Sequence, residues 1–235
     1  MNLSFYEVYI TSLRALISMG FPYGIDEEAA FMVSWLELHK LDGVKNLANI
    51  SKKINKKFDA KINKRDLNLK KSINLKKTSL LMKGPILFDY LYEKNKNSNN
   101  FKILLENSID PIFIIPLVGK FSNKIKFINA YWLNNNKIIG MKASKKKILI
   151  GEIKNKKILK GLIFLQFTNS SKKDFIKLNK ITHKINYKNE QKFLKDSLNP
   201  KLIHWNIISK LAQKTFVSSS DVSRNKGAGG GNDND

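Results

Sequence analysis

The densest collection of side chains able to do chemistry lies at the C-terminus. There Ser218, Ser219, Ser220 and Ser223 precede Arg224 and the glycines Gly227, Gly229, Gly230 and Gly231. Hydroxyls hydrogen-bond an anion, and a guanidinium fork grips a carboxylate or phosphate through two parallel hydrogen bonds. Glycines let successive backbone N–H groups converge on the same charge. Ser220, Ser223, Arg224, Gly227 and Gly229 are therefore the candidate anion-binding residues. Two phosphate grips are excluded by their order. No Gly-Lys-Ser/Thr ending completes a P-loop, and the sequence stops where a dinucleotide fingerprint would need its helix to begin. Asp233 and Asp235 add carboxylates for a cation or a basic groove. Gly, Ser, Asn and Asp together are also the composition of an idle terminus, so that reading stands beside the functional one.

Other chemistries are poorly supplied. Cysteine is absent, which removes disulfides, thiolate nucleophiles and Cys-type metal sites together. The three histidines, His39, His183 and His204, are far apart and never at i, i+2 or i, i+4 spacing, so no metal site is expected. His39 and His204 read as structural, Trp35 and Trp205 as core, and Glu27 and Glu28 as acids complementing the start of a helix. No Ser–His–Asp arrangement can be assembled from sequence order, and neither reaction nor cofactor is legible.

The net charge of +24 invites a nucleic-acid partner. The make-up of that charge argues against one. Of the 43 basic residues only Arg14, Arg65 and Arg224 are arginines, and base readers lean on arginine forks. Lysine, asparagine, isoleucine and phenylalanine are the residues of A/T-rich codons, so the lysines read as a solvated surface. No apolar run is long enough for a membrane span, and the N-terminus lacks a signal-peptide pattern; the cytoplasm is expected.

The elements that must position these residues follow from spacing. Ser4 and Glu7 form a capping box before a helix over Phe5 to Met19, which Gly20, Pro22 and Gly24 stop. Asp26 is the expected N-cap of a second helix running to Lys40, and Val44 to Ile50 add a turn or two. Residues 51–77 carry eleven Lys/Arg and read as a basic loop or arm. A helix returns over Ser79 to Tyr92. Phe101 to Thr168 reads mainly as sheet, with a hairpin around Asn134-Asn135-Asn136 and strands at Ile148 to Gly151 and Leu162 to Phe167. Asn169 to Lys188 shows no pattern. Asn199-Pro200 reads as the start of a last helix carrying Leu202, Trp205, Ile208 and Ala212 on one face. The expectation is an α+β fold: a helical N-terminal layer, a mainly antiparallel central sheet, and a C-terminal helix ending in an irregular Gly-rich tail. Residues 1–216 would form one domain and 217–235 the tail.

Both ends carry a resemblance. Gly20, Tyr23-Gly24, Glu27 to Ala30, Trp35-Leu36 and Gly43 resemble the opening of a bacterial family catalogued as domain of unknown function 3726. Ser223-Arg224, Gly227 to Gly231 and Asn232 to Asp235 are similar to its closing segment, with Ser218 and Asp221 where relatives carry proline and glutamate. The family has no assigned activity to carry over, but a defined order of residues favours a functional tail. The opening helices also resemble those of the malate/L-lactate dehydrogenase-like family. That family's Ser-His-Gly motif, which supplies its catalytic histidine, is missing from His39-Lys40-Leu41-Asp42-Gly43, and this counts against a dehydrogenase. The expected role is in small-molecule metabolism, binding an anionic metabolite near Arg224. The alternative is an accessory subunit docking its tail into a protein partner, with self-association left open.

Overall fold

The structure is a computed structural model, and it describes residues 1–62, 67, 72–96, 100–122, 124–154, 156–168, 176–187 and 194–216. Three helices open it: α1 (Phe5–Ser18), α2 (Ile25–Leu38) and α3 (Gly43–Ile54). The capping box of α1 is present. The Glu7 amide donates to Ser4 Oγ (3.1 Å), and the Ser4 amide donates back to Glu7 Oε2 (2.7 Å). Asp26 is not the cap of α2. Gly24 takes that place at φ 83°, a conformation natural to glycine, and Asp26 lies buried one residue inside the helix.

Strand β1 (Ser72–Asn74) leads into α4 (Leu80–Lys96), which returns to β2 (Asn100–Glu106) parallel to β1. A 3-10 turn (Pro111–Phe113) and α5 (Ile114–Phe121) follow. Then come β3 (Phe127–Asn134), β4 (Lys137–Ser144), β5 (Lys147–Ile153), β6 (Ile163–Thr168), β7 (Lys180–Asn186) and α6 (Leu202–Gln213). The seven strands form one sheet in the order β1-β2-β6-β3-β4-β5-β7, antiparallel except for β1–β2. This is the expected α+β architecture.

The β3–β4 hairpin closes where three asparagines signal it. Asn134 pairs with Lys137, and Asn135 and Asn136 take φ 46° and 61°, the left-handed pair that matches strand twist. The main core lies between sheet and helices, where Phe88 and Tyr92 of α4, Phe121 of α5 and Phe167 of β6 meet with ring centroids 5.6 to 6.2 Å apart. A smaller cluster of Tyr131, Ile153 and Ile176 forms apart from it, and Phe164 stacks on Tyr131 at 5.1 Å.

Three local expectations fail for identifiable reasons. Residues 114–121 form a helix within the stretch read as sheet. Every residue of it except Lys120 is buried, so one exposed lysine is too little of a polar stripe to betray its period. Strand β7 runs through the segment that showed no pattern. It is an edge strand whose Lys180, Ile181, Thr182 and Lys184 are exposed, leaving Ile185 as its buried anchor. The last helix is capped by Lys201 rather than Asn199. Leu198 exchanges both backbone hydrogen bonds with Leu3 (3.0 and 2.7 Å), which keeps the chain extended up to Pro200. On that helix Ile208 and Ala212 are buried, while Leu202 is exposed and Trp205 half-buried. No helix among the described residues is long and apolar enough to cross a membrane.

Candidate functional site

The first turn of α4 is the most densely bonded polar feature of the interior. Asp110, buried just ahead of the 3-10 turn, accepts hydrogen bonds from Ser79 Oγ and, at 2.8 Å, from the Leu80 amide. Ser79 Oγ in turn accepts from the Leu81 amide (3.0 Å). The carboxylate thus closes the N-terminus of α4 and ties it to the end of β2. Burial raises the Asp110 carboxyl from its ordinary value to about 7, against the opposing hydrogen bonds. One turn further on, Lys83 is buried and pairs with Asp59 (3.0 Å), with Leu75 O at 3.4 Å. Asp59 and Phe58, whose ring meets Phe21 at 5.2 Å, hold the chain that follows α3 against the body. Of the basic stretch 51–77, Ser51 to Ile54 complete α3 and Ser72–Asn74 form β1, while 63–66 and 68–71 lie outside the described residues.

Beside this anchored helix start opens a cavity of about 680 Å3. Four tight backbone turns and the end of α3 converge there. Lys53 enters from the last turn of α3, and Lys77 from the turn ahead of α4. Asn107 and Ser108 enter from the loop after β2, Asn134 to Asn136 from the hairpin tip, and Lys160-Gly161 from the β5–β6 connection. Lys77, Asn107, Asn135, Asn136 and Gly161 all have positive φ, from 46° to 81°. The Ser108 amide donates to Gly161 O (2.9 Å), and the Asn107 side chain donates to Asn74 Oδ1 (3.0 Å), so two of these turns are locked together. Ser108 also links the cavity to the buried acid, since its Oγ lies 3.5 Å from Asp110 Oδ1.

The electrostatics are one-sided. Among the described residues three lysines and no carboxylate line the cavity, and none of the three pairs with an acid. Lysines of the same chain that do pair, such as Lys120 with Glu28 and Lys137 with Glu152, lie elsewhere. Three cations around a concave surface are an anion site in its simplest form.

A second cavity of about 570 Å3 joins the end of α2 to β7, and its charges are mixed. Glu37, Asp42 and Asp196 line it together with Lys40, Lys184, His39 and His183. His39 is buried and lies against Trp35, centroids 4.1 Å apart, as a structural histidine would. Glu37 is spent on the α2–α3 corner. Its carboxylate accepts from the Val44 amide (2.9 Å), and burial pushes it above its usual value. No group of three His, Cys, Asp or Glu among the described residues could hold a metal ion.

Ser220, Ser223, Arg224, Gly227 and Gly229 lie outside the described residues. The chain leading to them is placed as far as Phe216, which rests on Arg14 with the guanidinium 4.9 Å from the ring centroid. Sequence reasoning missed Lys53, Lys77 and Lys160 as a group. Among 40 lysines, three that meet only in the fold carry no local signal. The hairpin asparagines had one, since Asn-Asn at a tight turn marks where a rim must form.

No curated protein matches the sequence. Among solved structures, a malate dehydrogenase of Entamoeba histolytica aligns over 93% of this chain and 99% of its own, at 10% identity and a TM-score of 0.59. The sulfolactate dehydrogenase of Methanocaldococcus jannaschii aligns over 91% and 97%, at 10% identity and 0.57. A malate dehydrogenase of Pyrococcus horikoshii matches at 14% identity and 0.48, and there the alignment covers 65% of this chain and half of that one. Identities this low make the first two a likeness of fold, the fold that the opening helices resemble, without the Ser-His-Gly motif. Residues 3–83, from ahead of α1 to the first turn of α4, match the model of a family described as protein of unknown function (DUF3726), which supports the resemblance of the opening helices to that family.

Proposed function

We propose that this chain is a cytoplasmic protein of small-molecule metabolism that binds an anionic metabolite in the cavity between α3, the start of α4 and the β3–β4 hairpin tip. The carrying observation is the convergence of Lys53, Lys77 and Lys160 on a concave volume with no acidic residue among the described residues of its lining. The fold supports the reading, because the malate and sulfolactate dehydrogenases that share it are named for small anionic compounds. The C-terminal residues enter as a second element of the same proposal. Arg224 with Ser220, Ser223, Gly227 and Gly229 would add a guanidinium fork and backbone amides to an anion already held by lysines.

Thermal-shift and calorimetric titration with a panel of carboxylates and phosphates tests this. A ligand at a hundredfold excess over its dissociation constant stabilises the protein by about 2.7 kcal/mol. Changing Lys53, Lys77 and Lys160 together to glutamine should abolish that stabilisation, and each single change should weaken binding about fivefold. The three lysines are exposed and make no ion pair among the described residues whose loss would unfold the protein. Arg224→Ala reports on the tail separately. A hit that is lost in Arg224→Ala and kept in the lysine variants moves the site to the C-terminus. A hit indifferent to all four changes overturns the proposal.

A further inference from the structure

The donors lining the three-lysine cavity also narrow the kind of anion, an inference that rests on the anion-binding reading above. We propose that its ligand is a phosphorylated sugar or polyol lacking a nucleobase. Among the described residues the cations of the cavity are lysines, with no arginine beside them. A guanidinium matches the plane of a carboxylate through two parallel bonds, whereas an ammonium is a compact point charge that approaches a tetrahedral phosphate from any side. Lys53, Lys77 and Lys160 come from three separated segments, so their charges bound one volume from different directions. A phosphate monoester, with a charge of about −1.5 to −2 near neutral pH, answers such a cluster better than one carboxylate does.

The rest of the lining is neutral and two-sided. Asparagine side chains of the hairpin tip and the Ser108 hydroxyl each offer both donors and acceptors, which suits the hydroxyls of a sugar. Ile109, Pro111 and Leu133 supply a small apolar wall for its C–H face. No aromatic side chain among the described residues lines the cavity, so none of them is placed to stack a base. At about 680 Å3 it lies within the size range of small-molecule sites and exceeds what a bare phosphate needs.

Calorimetric titration of the full chain with ribose 5-phosphate, AMP, citrate and inorganic phosphate decides the matter. Ribose 5-phosphate should bind about tenfold tighter than inorganic phosphate or citrate, with AMP no tighter than the sugar phosphate. Lys77→Gln and Lys160→Gln should each lower its affinity about fivefold. Citrate binding more tightly, with the same lysine dependence, would overturn the sugar-phosphate assignment and leave the anion site standing. AMP exceeding ribose 5-phosphate tenfold would show that a base is read, and inorganic phosphate matching it would show that the hydroxyls are not; either outcome overturns the assignment. If none of the four binds, or if the lysine changes alter nothing, the anion site falls with it.

Discussion

Gly43→Ala is expected to lower the melting temperature by on the order of 10 °C, the largest loss from any single added methyl at the α2–α3 corner. Gly43 is the first residue of α3, and its backbone lies against that of α2. A Cβ there would stand 2.0 Å from the Val33 carbonyl oxygen, 2.9 Å from the Glu37 amide nitrogen and 3.0 Å from Leu36 Cβ. Two of those three atoms are helix backbone, which cannot swing away as a side chain can. Relief requires α3 to move off α2, and overpacking of this kind costs about 3 kcal/mol. The corner has no slack. The Leu41 amide donates to Leu36 O (2.8 Å), Asp42 sits at φ 54°, and Glu37 Oε2 holds the Val44 amide.

Gly24→Ala is the matched control. Its φ of 83° carries a backbone cost of about 1–2 kcal/mol, but no atom lies within 4 Å of its Cβ. A smaller loss at Gly24 than at Gly43 separates close approach from conformational freedom. Equal losses would mean that α3 is free to shift. The change reaches the cavity as well, because α3 carries Lys53 into it. Ligand affinity should therefore fall in Gly43→Ala and stay unchanged in Gly24→Ala.

How much of this was legible follows from where each signal resides. Local signals were read correctly: the Ser4–Glu7 box, the Gly-Pro-Gly stop after α1, and the Asn-Asn turn between β3 and β4 each act over a few residues. What depends on surroundings was not. Lys83 looks like any other lysine in the sequence, yet it is buried and paired with Asp59, twenty-four positions away. Asp110 looks in the sequence like a lone acid in an apolar stretch, yet its carboxyl closes a helix that begins thirty residues earlier. Helix α5 was hidden because burial of every residue but Lys120 leaves little periodicity to read, and β7 because an edge strand need not alternate. The cavity shows the same limit. Its three lysines come from segments between residues 53 and 160, and only the sheet order brings those segments together.

Asp110→Asn should change how stability depends on pH by more than any other single substitution of an acid in the described structure. In the folded protein, burial holds this carboxyl protonated up to about 7, whereas in the unfolded chain it ionises near its ordinary value of 3.8. Between those two values the folded state binds more protons than the unfolded one. Stability is therefore fully retained below pH 4 and declines as the pH rises toward 7. Roughly three pH units at about 1.4 kcal/mol each set an upper size of about 4 kcal/mol for the loss. Asparagine keeps the shape and an acceptor for the Leu80 amide, supplies a donor toward Ser79, and does not titrate. Denaturation midpoints measured from pH 4 to pH 8 should show the variant gaining on the wild type steadily across the range, by up to that amount at the top. Comparing the two proteins at each pH removes the charge repulsion that a chain of net +24 suffers in acid, since both share it. Asp110→Ala should instead destabilise at every pH, because the Leu80 amide and the Ser79 hydroxyl both lose their partner at a buried helix start. Parallel curves for wild type and Asp110→Asn would mean that the carboxyl is already ionised in the fold, with the first turn of α4 stabilising its charge more strongly than burial opposes it.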